Sequence, residues 1–304
     1  MWVCSAPSNI ALIKYMGKGE GNVPSNVSLS YTLDKFISEV SLEICEGEDV
    51  FVNEISLDEK AIRRFLEHLN RIKNITNCRK FFRIKSRNNF PHAVGVASSA
   101  SSFAALTLCS FKAMSSLKNV SMPSLEEMSR VSRQASGSSC RSFFSPWSVW
   151  EGEQARGIDI RTAKLLHNLL LIDQTPKAVS SSEAHELVKS SLLFHGRVNR
   201  ARARFEKLVP ALNNNNWREA YQLCWEEFWD MHALFETSSP AFGYFLPGTI
   251  ALLLEIRKFW QIYQDGPLAT VDAGCNVHLL WREDQEKSQK CLISKLQPLI
   301  GSII

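Results

Sequence analysis

The spacing of apolar and polar positions changes character several times along the chain. From Phe36 to Cys45 the two alternate: Val40, Leu42 and Ile44 share one face, Ser41 and Glu43 the other. A period of two with one wet side predicts a strand. Lys80 to Ser86 repeats it, with Phe82 and Ile84 set against Arg83 and Lys85. Between them, LDEKAIRRFLEHLN has helical spacing, and Asp58 stands where an N-cap belongs. Ala97 to Ser116 is small or apolar nearly all round, which predicts a buried helix. A second helix is expected over MPSLEEMSRVSRQAS, where Ser124 and Glu127 have capping-box spacing. Leu165 to Asp173 reads as a buried strand. Trp217, Tyr221, Cys224, Phe228, Met231 and Phe235 recur at steps of four and three, one helical stripe for a core. Leu268 to Leu280 predicts two short strands about a glycine turn, and CLISKLQPLIGSI a closing helix.

Strands and helices mix without the regular alternation of a doubly wound sheet, so the predicted class is α+β. The length of 304 residues suits one large domain or two ordinary ones. The change of character near residue 165 predicts an N-terminal domain over 1–164 and a C-terminal domain over 165–304. Hydrophobic residues make up 45% and charged residues 22%, enough for a full core. A net charge of +4 without a Lys/Arg run argues against a nucleic-acid partner, yet allows a local basic pocket for an anionic small molecule. The eight cysteines form no C-x-x-C pair, and the seven histidines show no paired metal spacing. No apolar run reaches the length of a membrane span, and Ser8, Asn9, Lys14 and Lys18 interrupt any signal-like pattern, so a cytoplasmic protein is expected.

Four stretches could carry chemistry. SAPSNIALIKYMGK starts like a half-buried strand and then places Lys14 and Lys18 four residues apart beside Tyr15. NNFPHAVGVASSASSFAAL leads from a turn straight into the buried helix. Unpaired N–H groups and the helix dipole make such an N-terminus ready for an anion, although an ordinary serine-capped core helix also fits. SRQASGSSCRSFF joins a Ser/Gly turn to Arg141, whose planar fork suits a carboxylate or phosphate; a plain surface loop fits as well. In TVDAGCN, Asp272 ends an apolar strand, where a carboxylate is costly unless paired or functional.

Together with GNVPSNVSLSYTLD and AVSSSEAH these segments stand in an order that resembles the GHMP kinase superfamily, and within it the diphosphomevalonate decarboxylases. They span residues 5 to 276. The resemblance implies a GHMP kinase fold, with an N-terminal domain like the second domain of ribosomal protein S5, a ferredoxin-like C-terminal domain, and an active site between them. It implies ATP and a magnesium ion, phosphorylation of the tertiary 3-hydroxyl of 5-diphosphomevalonate, and loss of phosphate and carbon dioxide to give isopentenyl diphosphate. Asp272, Lys14 and Arg141 would be catalytic. Tyr15, Lys18, Ser136, Ser138 and Arg141 would bind substrate. Gly95, Ala97, Ser98, Ser99 and Ser101 would cradle ATP phosphates, with Ser99 reaching the magnesium ion. A homodimer is implied, with no nucleic-acid or membrane partner. Two alternatives stand beside this: a related enzyme acting on mevalonate or 5-phosphomevalonate, and a degenerate non-catalytic binder.

The chain departs from the family pattern at several positions. Met16 replaces a usual tryptophan, His92 a threonine, Val94 an alanine, Cys275 a proline and His185 a methionine. Ser101-Ser102 stands for Ala-Gly, and Ser145-Pro146 for Gly-Gly.

Overall fold

A computed structural model describes residues 1–52, 57–90, 98–175 and 177–304. Its strands fall into two sheets. The first is built around two long strands, β1 (Trp2–Ile13) and β2 (Ser28–Cys45), paired antiparallel from Trp2 opposite Leu42 to Ile13 opposite Leu29. Along its other edge β2 carries β4 (Phe81–Asn88) and β5 (Trp147–Glu151), both antiparallel. β3 (Val50–Val52) adds parallel to β4, and β6 (Gln154–Gly157) closes a hairpin with β5. The second sheet runs β10-β7-β9-β8, all antiparallel, from β7 (Leu165–Leu171), β8 (Leu268–Val271), β9 (Val277–Arg282) and β10 (Ser302–Ile303). The α+β expectation is met.

The long strand β2 is wet on one face only in its second half. There Val40 and Leu42 are buried while Glu39 is half-buried and Glu43 exposed. From Ser28 to Leu33 every residue is buried, because a core lies on each side. One core joins Val40, Leu42, Phe82 and Ile84 to α1 (Glu59–Thr76) and α2 (Ser98–Lys118) through Phe65, Phe103 and Leu106. The other joins Ile10, Leu12, Leu29 and Tyr31 to the second sheet and to the helices α5 (Arg197–Asn213), α6 (Trp217–Glu236), α7 (Pro247–Tyr263) and α8 (Glu286–Leu296). The sheets thus part at residues 157 and 165, while apolar packing is continuous across the break.

Local chemistry sets the helix ends. The Asp58 carboxylate accepts the Ala61 N–H at 2.7 Å. Before α3 (Leu125–Arg133), Ser124 and Glu127 exchange both bonds of a capping box. In α2 fourteen residues are buried, as its all-round small and apolar sequence requires. One expectation needs correction. The last helix ends at Leu296, and the chain then turns through Pro298 and Gly301 into β10, which pairs with β7. Proline removes the donor that a continuing helix needs, and β7 offers a free edge. No described helix is long and apolar enough to cross a membrane.

Candidate active site

Lys14 follows the last residue of β1, and Asp272 follows the last residue of β8. The two sheets bring these strand ends together. Lys14 Nζ donates to Asp272 Oδ1 in an ion pair whose lysine is 1% exposed and whose aspartate side chain is 30% exposed. The pair therefore lies in the wall of a cavity of about 380 Å³ rather than beneath it. Burial lowers the Lys14 pKa and the Asp272 charge opposes that shift. For Asp272 burial acts upward, but Lys14, His278 and Arg141 outweigh it, and the carboxyl titrates below its ordinary value of 3.8. Asp272 is ionised at neutral pH, and among the described residues its Oδ2 makes no hydrogen bond.

Several contacts fix Lys14 from behind. Its N–H donates to Glu227 Oε1 at 2.9 Å, and its carbonyl accepts from Asn26 Nδ2 at 2.8 Å and Arg197 Nη2 at 3.2 Å. Glu227 and Arg197 are both fully buried and pair with each other. A buried pair of this kind leans on further bonds to its polar atoms; the Lys14 backbone supplies two of them, while Arg197 Nε is left without a partner among the described residues.

Arg141 lies in the 3-10 turn Gly137–Phe143, which follows α3. Its Nε donates to Asn9 Oδ1 at 3.1 Å and its Nη1 to Ser28 Oγ at 2.5 Å. Asn9 is held in turn by donating to Ser142 Oγ at 2.8 Å. Arg141 is 4% exposed as a residue and lines the cavity, with Nη2 left for a ligand. Burial lowers its pKa, with the nearby Cys140, Asp272 and Tyr15 opposing, and an arginine remains a cation under those conditions.

Tyr15, Lys18, Ser136 and Ser138 line the same cavity, as do Ser98 and Ser99 at the start of α2. Ser136 Oγ reaches Ser99 Oγ at 3.4 Å, so the Ser/Gly turn and the helix N-terminus meet. Gly137 lets the turn lie close against Tyr15, because a Cβ there would be 2.7 Å from the Tyr15 hydroxyl. Ser101 is placed otherwise. It is fully buried, bonded to Ser38 Oγ at 2.7 Å, and does not line the cavity; its neighbour Ser102 bonds Ser38 Oγ at 3.1 Å. These hydroxyls tie α2 to β2, which corrects the expectation that Ser101 faces phosphate. Gly95 and Ala97, and the departures His92 and Val94, lie outside the described residues.

Of the other departures, Met16 and His185 line the cavity. Pro146 lies by the β2–β5 edge, where its carbonyl accepts from Thr32 N–H at 2.9 Å, and Cys275 packs beside Asp173; neither lines the cavity.

Sequence reasoning missed several residues here. Asn9 and Ser28 hold Arg141, Glu227 and Arg197 hold Lys14, and Arg64 and Lys177 add charge to the wall. Glu227 carried a usable signal: it lies three residues after Cys224 on the apolar stripe, where an unpaired carboxylate is not tolerated. His232, also missed, hydrogen-bonds the Asp272 carbonyl at 3.1 Å.

The described lining carries five cations, Lys14, Lys18, Arg64, Arg141 and Lys177, against the single carboxylate Asp272. Such a wall selects a polyanion. No group of three or more His, Cys, Asp or Glu side chains that could hold a metal occurs among the described residues. The donors that are present, Asp272 and the Ser98 and Ser99 hydroxyls, fit a magnesium ion that keeps waters and phosphate oxygens as ligands rather than one in a protein cage.

Comparison with known proteins points the same way. The family model of the diphosphomevalonate decarboxylase-like N-terminal domain matches residues 6–160. A solved mevalonate diphosphate decarboxylase from Legionella pneumophila is 44% identical, with a TM-score of 0.94 over 100% of this chain and 99% of that one. A solved complex of MDDEF with MVAPP, AMPPCP and magnesium is 29% identical, with a TM-score of 0.87 over 97% of this chain and 92% of that one. A diphosphomevalonate decarboxylase from Ganoderma lucidum is 30% identical over 97% of this chain and 81% of its own length. By sequence, by fold and by the residues gathered at its cavity, the chain belongs to the diphosphomevalonate decarboxylase-like family of the GHMP kinase superfamily.

Proposed function

We propose that this protein is an ATP-dependent diphosphomevalonate decarboxylase, converting (R)-5-diphosphomevalonate to isopentenyl diphosphate with release of ADP, phosphate and carbon dioxide, in the mevalonate route to isoprenoids. The observation that carries the reading is the cavity wall: five cations, with Lys14 paired to Asp272 and Arg141 held by Asn9 and Ser28. Its substrates bring a carboxylate, a diphosphate and a triphosphate to one place.

The chemistry follows from those positions. The tertiary hydroxyl donates to Asp272 Oδ2, and its proton passes there as the oxygen attacks the terminal phosphorus of ATP. The new O–P bond forms as the bond to ADP breaks. Asp272 titrates below 3.8, so it is a weak base whose main contribution is to orient the hydroxyl and take the proton late. Lys14 stands beside it to balance charge on the transferred group. The C3–O bond then breaks with its electron pair leaving on phosphate. The pair from the bond between C2 and the carboxylate carbon becomes the new double bond, and carbon dioxide departs. Arg141 Nη2 holds the carboxylate in line for that step. Lys18, Tyr15, Ser136 and Ser138 bind the diphosphate, and Ser98 and Ser99 at the α2 N-terminus receive ATP phosphates. Ser99 is the protein donor nearest in role to a magnesium ligand; the ion, when bound, neutralises phosphate charge.

We further infer domains over 1–164 and 165–304, supported by the break between the sheets, and a cytoplasmic homodimer, supported by the family resemblance and by eight free cysteines. The activity test is product analysis with ATP, magnesium and each of mevalonate, 5-phosphomevalonate and 5-diphosphomevalonate. Isopentenyl diphosphate from the third substrate alone is expected. Turnover of only one of the other two would move the protein to a related kinase or decarboxylase, and turnover of none would leave a binder.

A further inference from the structure

His185 lies in the short helix α4 (Ser181–Leu187), is 7% exposed, and lines the cavity beside Lys18, Ser136 and Ser138. Its Nδ1 accepts the Gly17 N–H at 3.0 Å. An atom that accepts carries a lone pair, so the neutral ring must bear its proton on Nε2. Burial, with Lys18 from the loop after β1, Lys189 beyond α4 and Arg141 from the 3-10 turn, pushes the ring pKa down to about 3 and keeps it neutral. The ring stacks on Tyr15 with centroids 4.3 Å apart, and Tyr15 abuts Gly137 in the Ser/Gly turn. Among the described residues Nε2 makes no hydrogen bond, yet it is not one of the unpartnered atoms sealed from solvent. It therefore keeps an N–H donor open to solvent, on a ring that lines the same cavity as the Ser136 and Ser138 hydroxyls.

We propose that His185 is a specificity-determining residue of the substrate site, donating its Nε2–H to a non-bridging oxygen of the substrate diphosphate. The proposal rests on the activity assigned above. A neutral donor strengthens phosphate binding without adding a further cation next to Lys18. It also fixes Tyr15 and Gly17, two neighbours of the same subsite, through the stack and the Nδ1 bond.

The test compares wild type with His185→Met and His185→Gln, using direct binding of 5-diphosphomevalonate and steady-state kinetics. Loss of a hydrogen bond to a charged group should weaken diphosphomevalonate binding about tenfold or more in His185→Met. The KM for ATP should change by less than about twofold, and His185→Gln, which keeps an amide donor, should recover most of the affinity. Imidazole ¹⁵N NMR gives a second readout that needs no variant: a neutral Nε2–H tautomer at pH 7, whose Nε2 signal moves when inorganic pyrophosphate is added. Wild-type affinity in His185→Met, an Nδ1–H tautomer, or a signal indifferent to pyrophosphate would overturn the proposal. A wild-type protein that binds no diphosphomevalonate at all would overturn the assigned activity instead.

Discussion

Met16 stands at the meeting point of packing and substrate recognition. It is 2% exposed, packs with Met231, Phe235 and Ala273, and still lines the cavity. A tryptophan there would have to displace those neighbours, and overpacking of this kind costs on the order of 1–3 kcal/mol. We expect Met16→Trp to lower the melting temperature and to change the KM for diphosphomevalonate more than kcat. Kinetics paired with thermal melting check this; an unchanged KM with kcat down about tenfold would contradict the wall role. At this scale the sequence was informative where a residue type is expensive to bury. Lys14, Arg141 and Asp272 stood out because charges beside apolar runs demand a reason. Asn9 did not, since an amide gives no such signal and its partner Arg141 lies 132 positions away.

At the scale of elements, the cavity is assembled from termini: the ends of β1 and β8, the start of α2, and the 3-10 turn after α3. Elements with a clean period were legible, including α1, α6 and β4, and α2 was legible by its all-round small and apolar character. The first half of β2 was not read, although Ser28, Ser30 and Thr32 alternate there with Leu29, Tyr31 and Leu33; both its faces are buried, so its polar side is not a wet one. The β5–β6 hairpin was missed for a related reason: Trp147 to Trp150 are all buried, which erases the period of two. Gly137 shows how an element constrains the site. Tyr15 is confined between Trp150 (centroids 4.4 Å apart) and His185, so it cannot retreat from a new methyl group. Gly137→Ala should raise the KM for diphosphomevalonate about tenfold or more while the fold persists, as read by kinetics and circular dichroism. A KM equal to wild type would mean that the turn relaxes freely.

At the scale of the whole molecule, folding buries histidines as well as apolar surface. Burial pushes His68, His185 and His232 each down to about 3, and drives His167 well below its ordinary value. An unfolded histidine titrates near about 6.5. As pH falls from there towards 3, the unfolded chain takes up protons that the folded chain refuses. Stability is therefore lost with falling pH across that window, by up to ~1.4 kcal/mol per pH unit for each histidine. The depressed carboxyls Asp230 and Asp272 act in the same direction only later, as pH falls below 3.8 through their folded values. Melting temperatures measured between about pH 7 and pH 4.5 should fall steadily; a flat profile would show that these rings take up protons without unfolding.

The cavity also belongs to the whole molecule, because Arg141 comes from the first sheet's half of the chain and Asp272 from the second's. Their proposed roles are separable. Asp272 acts on the hydroxyl during phosphoryl transfer, whereas Arg141 holds the carboxylate for the elimination that follows. The direct test counts ADP and carbon dioxide in the same reaction with 5-diphosphomevalonate, for wild type, Asp272→Asn and Arg141→Lys, with folding checked by melting. Asp272→Asn should suppress both products together, on the order of a hundredfold to ten-thousandfold. Arg141→Lys keeps the charge but loses the planar fork, and should cut carbon dioxide more deeply than ADP. Near wild-type ADP release by Asp272→Asn would contradict the account.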